Sequence, residues 1–265
     1  MKKVLLLAIG FCFIAISNVF AEVETQKHTG EAGLETYYFI YKEPGVMQEK
    51  GTFYGLNGVY TFRDKIMLKA EGRSGFGQVD YKNSGTLDNI DDLTLEFRGL
   101  GGFGFDIFTA STLTPYLGVG YRYLNDDLKG KVTSTGAAGY ERESNYFYSP
   151  IGIETLTELN NGWFWGLRAE YDYFWRGVQK SHLSDANPAY NDLENDQNKG
   201  YGVRGSVKLL MKSEEIDFVI EPFIRYWNIK KSEDAKVTFA GVIIGTGYEP
   251  KNHTTEAGIK MGLIF

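Results

Sequence analysis

The last ten residues, 256–265, read Glu-Ala-Gly-Ile-Lys-Met-Gly-Leu-Ile-Phe. Every second side chain from Ala257 to Phe265 is apolar, and the alternate positions carry Glu256, Lys260, two glycines and an isoleucine. Because successive side chains of a strand point to opposite faces, this alternation predicts a β-strand with one apolar face and one largely polar face. Such a strand is typical of a sheet whose two faces meet different solvents, with hydrocarbon on the apolar side.

The N-terminal end has the pattern of an export signal. Two lysines precede an apolar run over residues 4–16, and Val19-Phe20-Ala21 fits a cleavage site after its last residue. The run is shorter than the roughly 18 to 20 residues that a membrane-spanning helix requires. We therefore expect a cleaved signal peptide over residues 1–21 and a single domain over residues 22–265.

The composition favours a β-rich membrane protein. There are 18 Tyr, 18 Phe and 32 Gly but only 6 Pro, which is typical of many strands flanked by aromatic girdles. The single cysteine, Cys12, lies in the export signal, so we expect neither disulfide nor thiol chemistry in the mature chain. The formal net charge of −6 argues against a nucleic-acid partner, because phosphates require a basic face.

Ten alternating segments follow the signal, and their connections fall into two classes. Short connections follow the even-numbered segments, and longer polar stretches follow the odd-numbered ones. Outer-membrane barrels show this asymmetry, with the tight turns on the periplasmic side. We predict an all-β fold, a ten-stranded antiparallel transmembrane β-barrel that is closed as an up-and-down meander. The segments are 31–42, 51–62, 66–80, 93–106, 114–125, 145–158, 163–177, 200–212, 216–230 and 254–265. The longer stretches are 43–50, 81–92, 126–144, 178–199 and 231–253.

The segment 163–177 has the length that a membrane requires. One face is aromatic at both ends, from Trp163 and Trp165 to Tyr173 and Trp175, with smaller side chains between. About 12 residue steps of about 3.3 Å, tilted by about 40°, span about 30 Å, close to the thickness of the hydrocarbon core. Trp and Tyr favour both membrane–water interfaces, so this face is interpreted as a membrane-spanning strand with an aromatic residue at each interface.

Three prolines, Pro115, Pro150 and Pro222, lie inside predicted strands. Proline cannot donate a hydrogen bond to the ladder. Each of the three is therefore expected to mark a bulge or a rim, and the strand register beside them stays open.

The faces opposite the apolar ones are rich in charge. We expect these residues to form a salt-bridged network in the lumen, since ten strands enclose little more than side chains and an unpaired charge would lose its hydration. The predicted network comprises Glu35, Lys69, Glu71, Arg73, Glu96, Arg98, Arg122, Glu154, Arg168, Glu170, Asp172, Arg204, Lys208, Glu221, Arg225, Glu256 and Lys260. The same alternation also directs Arg176 inward.

No catalytic centre, cofactor or metal site is expected. The three histidines, His28, His182 and His253, are not at metal-ligand spacing. Ten-stranded barrels include the omptin proteases, whose catalytic pattern combines an Asp-Asp or Asp-x-Asp motif with Asp-x-His. Asp91-Asp92 and Asp126-Asp127 resemble the first part, but no histidine here has an aspartate two residues before it. The resemblance to omptins therefore stops at the strand count.

An acidic stretch with Asp192, Glu194 and Asp196 lies in the predicted loop 178–199. These carboxylates would suit a shared calcium ion, or bridges to lipopolysaccharide phosphates through divalent cations. The stretch lacks the central Gly and final Glu of an EF-hand. A solvated acidic loop is the interpretation we favour.

Residues 22–265 as a whole resemble small outer-membrane β-barrel proteins of Gram-negative bacteria, in the size range of omptins and OpcA-like adhesins. The resemblance rests on the export signal, the alternating strands and the terminal Phe265. It implies a place in the cell outer membrane, in contact with the lipid bilayer and lipopolysaccharide. It also implies that the barrel-assembly machinery recognises the last strand through Ile259, Met261, Leu263 and Phe265.

The function that these features favour is non-enzymatic. We expect a structural or surface-exposed barrel whose long extracellular loops bind a ligand or a host surface, because several loops carry apolar residues such as Tyr140, Tyr190 and the run 242–244. The alternative is a narrow passive pore for small polar solutes. A hydrolase with its site at the rim ranks third.

Overall fold

The computed structural model describes residues 27–108 and 110–265. The predicted signal peptide, residues 1–21, lies outside the described residues. No helix within the described ranges combines the length and the apolarity needed to cross a bilayer. The strands are β1 (His28–Glu43), β2 (Met47–Arg63), β3 (Ile66–Lys82), β4 (Leu87–Phe103), β5 (Phe105–Phe108), β6 (Ser111–Asp127), β7 (Glu141–Glu158), β8 (Trp163–Ser181), β9 (Leu193–Gln197), β10 (Gly200–Met211), β11 (Asp217–Ile229), β12 (Ala235–Phe239), β13 (Val242–Gly247) and β14 (Asn252–Ile264), and the short helix α1 is Leu183–Ala186.

Ten long strands form one closed antiparallel barrel. Each pairs with the next long strand along the chain, and β14 closes the ring by pairing with both β11 and β1. At this seam the backbones of Gly30 and Phe265 exchange two N–H···O bonds of 2.8 and 2.9 Å. The short strand β5 follows β4 along β6, β9 extends the pairing of β8, and β12 and β13 form a separate hairpin. The predicted ten-stranded closed meander is confirmed.

The outward faces of the strands form an apolar belt. Side chains such as Leu34, Leu68 and Leu117 point away from the barrel and are 56 to 67% exposed. Aromatic side chains, including Trp163 and Trp175 at the two ends of one face of β8, lie at its margins. A continuous apolar surface around the whole barrel is unfavourable in water. It is the surface that an outer-membrane barrel presents to lipid.

Two of the predicted long loops are paired strand instead. Strands β1 and β2 are joined by a turn at 44–46, in which Gly45 has a φ of +81°, and β3 and β4 are joined at 83–86. The stretches predicted as loops at 43–50 and 81–92 therefore mostly continue the barrel wall above the apolar belt. Their outward side chains are polar because they meet water, so the apolar outer face that marks a membrane-spanning strand is absent from these stretches.

The other three extracellular connections are long, as predicted. They cover residues 128–140, 182–199 and 230–251. The second contains α1 and β9, and the third contains the hairpin of β12 and β13. Much of the extracellular part of the chain therefore has regular backbone pairing of its own.

Strand β8 contains a bulge that reverses the alternation of its side chains. The register with β7 shifts so that Trp175 has no opposite residue. Beyond the bulge Gly177 is buried, whereas Arg176 faces outward and donates to Asp196 at 2.7 Å. The prediction that Arg176 points into the lumen was wrong, because a bulge moves every later side chain to the opposite face.

The three prolines differ in their effect on register. The bulge in β8 lies opposite a part of β7 close to Pro150. Pro115 and Pro222 lie opposite Ile153 and Ile259 in pairings without a register shift. A bulge therefore lies near Pro150 only, whereas beside Pro222 the ladder between β10 and β11 is interrupted, with Val207 and Lys208 left out of the pairing. Such an interruption is expected of a residue that cannot donate a hydrogen bond to the ladder.

The belt predicts how the barrel responds to charge at its surface. Leu117→Arg places a charge in the belt and is expected to lower the free energy of unfolding by about 2–4 kcal/mol. Val132→Arg is the control, since Val132 is similarly exposed but lies in an extracellular connection. Urea unfolding in lipid vesicles measures both. Equal, small effects would mean that Leu117 does not meet hydrocarbon.

Candidate functional site: the barrel interior and its extracellular mouth

The lower third of the lumen, towards the short turns, holds a charged cluster beside a cavity. Glu154 accepts hydrogen bonds from Lys69 at 2.6 Å and from Arg168 at 3.2 Å, and also pairs with Arg63. A cavity of about 310 Å³ lies among these residues and Lys208. This end of the lumen is therefore polar and has room for water.

The middle of the lumen is filled by interlocked ion pairs. Arg73 donates to Glu96 at 2.7 Å and to Glu35 at 3.2 Å, and one of its nitrogens lies 3.0 Å from Glu256. Arg225 contacts Glu35 and Glu256 at 3.0 Å each. The partners come from five different strands, so the network joins opposite walls of the barrel.

A second centre in the same layer is built on Arg204. Its guanidinium lies 2.6 Å from Glu96 and 2.7 Å from Asp172, and Tyr148 donates to Glu96 at 2.5 Å. Glu170 lies 3.0 Å from Arg204 and pairs with Arg98. Charge-assisted, multidentate bonds of this kind are the arrangement in which buried charges are tolerated.

Every residue of the predicted network lies on an inward face and has at least one ionic partner within 4.0 Å. Two further members were missed. Glu31 is buried and pairs with Lys208 at 2.9 Å, and Arg63 joins Glu154. Both lie at strand ends, where alternation alone does not decide between a lumen position and a turn.

Buried aromatic and aliphatic side chains fill the lumen above the ion pairs. Arg122 separates the two layers, with its guanidinium 5.8 Å from the Trp227 ring and 5.9 Å from the Tyr146 ring. Gly120 is required here because a Cβ would overlap the Tyr148 ring. One cluster comprises Tyr146, Tyr148, Phe174, Trp227 and Ile229, and the other comprises Tyr37, Phe39, Tyr41, Met47, Phe53, Val79, Ile90, Leu124, Leu128 and Phe223. We call these two clusters the aromatic layer.

Three buried carboxylates converge at the extracellular mouth. Glu49, Asp92 and Asp126 come from β2, β4 and β6, and one carboxylate oxygen of each lies within 4.8 Å of the others. None is more than 5% exposed. Their outward-facing neighbours, such as Lys50 and Asp91, are polar, so this level lies outside the apolar belt. We call these three residues the carboxylate cluster.

The charge of the carboxylate cluster is poorly compensated. Both oxygens of Asp92, and one oxygen each of Glu49 and Asp126, are buried without a hydrogen-bond partner among the described residues. Burial and the neighbouring carboxylates raise the pKa of Glu49 and of Asp92 well above the ordinary value. Burial raises the pKa of Asp126 to about 6. Three negative charges in this space require a counter-charge or protons.

Arg142 is the cation beside the carboxylate cluster, but other acids already bind it. Its Nη2 donates to Glu43 and to Glu249 at 2.6 Å each, whereas its Nη1 is 3.9 Å from Asp126. Burial raises the pKa of Glu249 to about 7, although Arg142 opposes this. Arg142 thus pairs with Glu43, Glu249 and, at a longer distance, Asp126, whereas Glu49 and Asp92 have no cation within 4.0 Å among the described residues.

The candidate residues for rim catalysis do not assemble. Asp91 faces outward and bonds Gln78, while Asp92 faces the lumen. His182 lies 3.3 Å from Asp192 and 3.4 Å from Glu143. These carboxylates orient His182, and no serine or cysteine nucleophile donates to it within the described chain.

His253 is also separated from the residues beside it in sequence. It lies on the outward face of β14, near the Tyr226 ring, whereas Thr254 and Glu256 are buried in the lumen. The alternation of the strand therefore places His253 on the opposite face from Thr254 and Glu256. The apolar residues Met261, Leu263 and Phe265 of the last strand face outward and are exposed.

Comparison with known proteins shows the fold. No family model and no curated protein matches the chain. The outer membrane protease OmpT from Escherichia coli is similar in structure, with a TM-score of 0.59 and 9% identity over 93% of this chain and 98% of that chain. The translocator domain of the autotransporter NalP from Neisseria meningitidis gives a TM-score of 0.41 at 13% identity, over 90% of this chain and 89% of that chain.

OprG from Pseudomonas aeruginosa gives a TM-score of 0.36 at 13% identity, over 90% of this chain and 95% of that chain. At such identities, the likeness to OmpT shows the fold alone. A closed ten-stranded barrel with an outward apolar belt is the architecture of small outer-membrane proteins of Gram-negative bacteria.

The central ion pairs predict a large cost for removing one partner. Arg73→Met removes one of the cations that Glu35, Glu96 and Glu256 share and leaves these buried carboxylates with Arg225 and Arg204. Because the remaining cations do not fully compensate them, we expect a loss of about 3–5 kcal/mol in the free energy of unfolding. Arg176→Met is the matched control, because its pair with Asp196 is exposed to solvent and such pairs contribute little to stability. Equilibrium unfolding in detergent or lipid measures both. A small effect of Arg73→Met would indicate a hydrated, open lumen.

The environment of His182 predicts a local pH dependence. Partial burial lowers its pKa, but hydrogen bonds to Asp192 and Glu143 and the charge of Glu141 raise the pKa above 6.5 overall. Protonated His182 therefore stabilises the connection that contains it. This stabilisation is fully present below about pH 6.5 and is lost as pH rises through the higher pKa that His182 has in the folded state.

Hydrogen exchange of residues 182–192, corrected for the intrinsic effect of pH, should be slower at pH 6 than at pH 8.5. His182→Gln should remove this difference. His253→Gln, at a histidine whose pKa is lowered by partial burial and by Lys42 and Lys251, should leave it unchanged. Identical protection at both pH values in the unmodified protein would contradict the stabilising role of protonated His182.

Proposed function

We propose that this protein is a non-enzymatic outer-membrane barrel that is closed to solutes and displays a binding surface outside the cell. The observation that carries the proposal is the filled lumen. The cavity of about 310 Å³ near the short turns is followed by interlocked ion pairs and then by the aromatic layer. A passive pore needs a continuous aqueous path, and the two successive layers of packed side chains above the cavity oppose one.

The extracellular part is built as a stable platform, which supports a role in binding. The hairpin of β12 and β13 is attached to the connection that follows β8. Asn191 accepts hydrogen bonds from the Thr238 backbone at 2.5 Å and from its hydroxyl at 3.1 Å. The rings of Tyr190 and Phe239 pack edge to face at 5.1 Å. Binding loops are most effective when a rigid scaffold positions them.

The tip of this hairpin carries the apolar surface that a ligand would contact. Val242, Ile243 and Ile244 are 58 to 66% exposed, although they lie in a regular strand. Their sequence neighbours Ala240 and Gly241 have positive φ values of 47° and 80°, which form the tight turn. An apolar patch held away from the barrel is typical of a protein contact surface.

Conductance separates this proposal from the pore alternative. Purified protein in planar bilayers is expected to give no steady conductance steps, because the aromatic layer blocks the path. A double substitution, Trp227→Ala with Tyr148→Ala, should open leak currents if that layer is the barrier. Large, steady steps from the unmodified protein would overturn the sealed barrel and favour a pore.

Attachment tests the binding surface. Cells that display the protein should adhere to cultured epithelial monolayers, and the variant Val242→Ser/Ile243→Ser/Ile244→Ser should lose most of this adhesion. Val132→Ser is the control, as an exposed apolar residue in a different connection. Equal surface amounts of each variant are verified first. If the triple variant adheres as well as the unmodified protein, the hairpin tip is not the contact surface.

A further inference from the structure

We propose that the carboxylate cluster, formed by Glu49, Asp92 and Asp126 in the extracellular mouth, is a binding site for one calcium ion. The site is separate from the hairpin tip and from the ion pairs of the lumen. Its ligands come from three strands, so an ion bound there would connect β2, β4 and β6 above the membrane. The proposal does not depend on the binding role of the extracellular hairpin.

The distances suit calcium. Calcium binds oxygen ligands at about 2.3–2.6 Å, so two oxygens on opposite sides of one ion lie about 4.6–5.2 Å apart. The three carboxylate oxygens of the cluster lie within 4.8 Å of one another. A position within about 2.8 Å of all three oxygens therefore exists, and small rotations of the side chains bring each oxygen to ligand distance without movement of the backbone.

The unpartnered oxygens point to a ligand. Asp92 is 4% exposed, and neither of its oxygens has a hydrogen-bond partner in the described chain. Buried polar atoms are satisfied in the great majority of cases, and a buried carboxylate without partners is costly. The unpartnered oxygens of Glu49 and Asp126 belong to the same cluster. A single cation would satisfy all of these atoms at once.

The charge balance also favours a divalent cation. Five carboxylates lie at the mouth, those of Glu43, Glu49, Asp92, Asp126 and Glu249, and Arg142 is within 4.0 Å of only three of them. The guanidinium is committed to two of them through its Nη2. This differs from the lumen, where acids and bases alternate. A bound Ca²⁺ would offset the charge of two carboxylates in the part of the mouth that Arg142 does not reach.

The ligand chemistry selects a hard cation. All three side chains offer oxygen, and no histidine or cysteine belongs to the cluster, which disfavours zinc and copper. Three carboxylates supply up to six oxygens, and waters complete the coordination shell. Ligands from separate strands allow the irregular geometry that calcium accepts and magnesium does not.

Calcium titration of the full, folded chain tests the site. The protein is prepared with a chelator in zwitterionic detergent free of lipopolysaccharide, because lipopolysaccharide phosphates bind divalent cations themselves. Isothermal titration with CaCl₂ is expected to show one ion per chain, with a Kd of roughly 0.1–1 mM, the range of extracellular calcium modules. Thermal unfolding should then shift upward with calcium in the same concentration range.

Two variants provide the comparison. Glu49→Gln/Asp92→Asn/Asp126→Asn should weaken calcium binding at least tenfold and abolish the thermal shift. Asp192→Asn/Glu194→Gln/Asp196→Asn removes three carboxylates from an extracellular connection and should bind calcium as the unmodified protein does. The control also tests whether that acidic stretch is the calcium site instead.

Three results would overturn the proposal. The first is an unmodified protein that shows no calcium binding, in which case protons neutralise the cluster. The second is full calcium binding by the cluster variant, and the third is loss of binding in the control variant alone. If the cluster variant fails to fold, titration of the unmodified protein with CaCl₂ and with MgCl₂ still decides, since equal affinity for the two ions or none contradicts a calcium site.

Discussion

The pairing of buried guanidinium and carboxylate groups across the lumen is the constraint on which the rest of the barrel depends. Ten strands enclose only enough space for side chains, so every inward charge loses most of its water. Arg73 and Arg204 each bind carboxylates from other strands. All of these ion pairs can form together in only one strand register. Such pairs add little net stability, but a slipped register would leave several charges alone.

The three interior layers serve different physical needs along the barrel axis. Near the short turns, charges and a cavity coexist because water reaches them. In the middle, where hydrocarbon surrounds the wall, each charged side chain has at least one ionic partner. The aromatic layer follows, and beyond the apolar belt, where the wall is solvated outside, the interior holds an excess of acids. The carboxylate cluster is thus compatible with the fold only where the apolar belt has ended.

Strand alternation could be predicted because two solvents impose a period of two on every membrane-spanning segment. The inward charges of residues 69–73 follow directly from it. The bulge at Trp175 could not be predicted, since a bulge leaves little trace in hydropathy. The carboxylate cluster could not be predicted either. Glu49, Asp92 and Asp126 are far apart in sequence, and only the relative offset of three strands brings them together.

The seam between β1 and β14 joins segments that lie at opposite ends of the described chain. Before β14 pairs with them, β1 and β11 each present a row of unpaired N–H and C=O groups. Such rows are templates for aggregation. The ladder therefore becomes continuous only through contacts of the greatest possible sequence separation, a topology that slows folding. Formation of this one seam therefore removes both unpaired edges of the sheet in a single step.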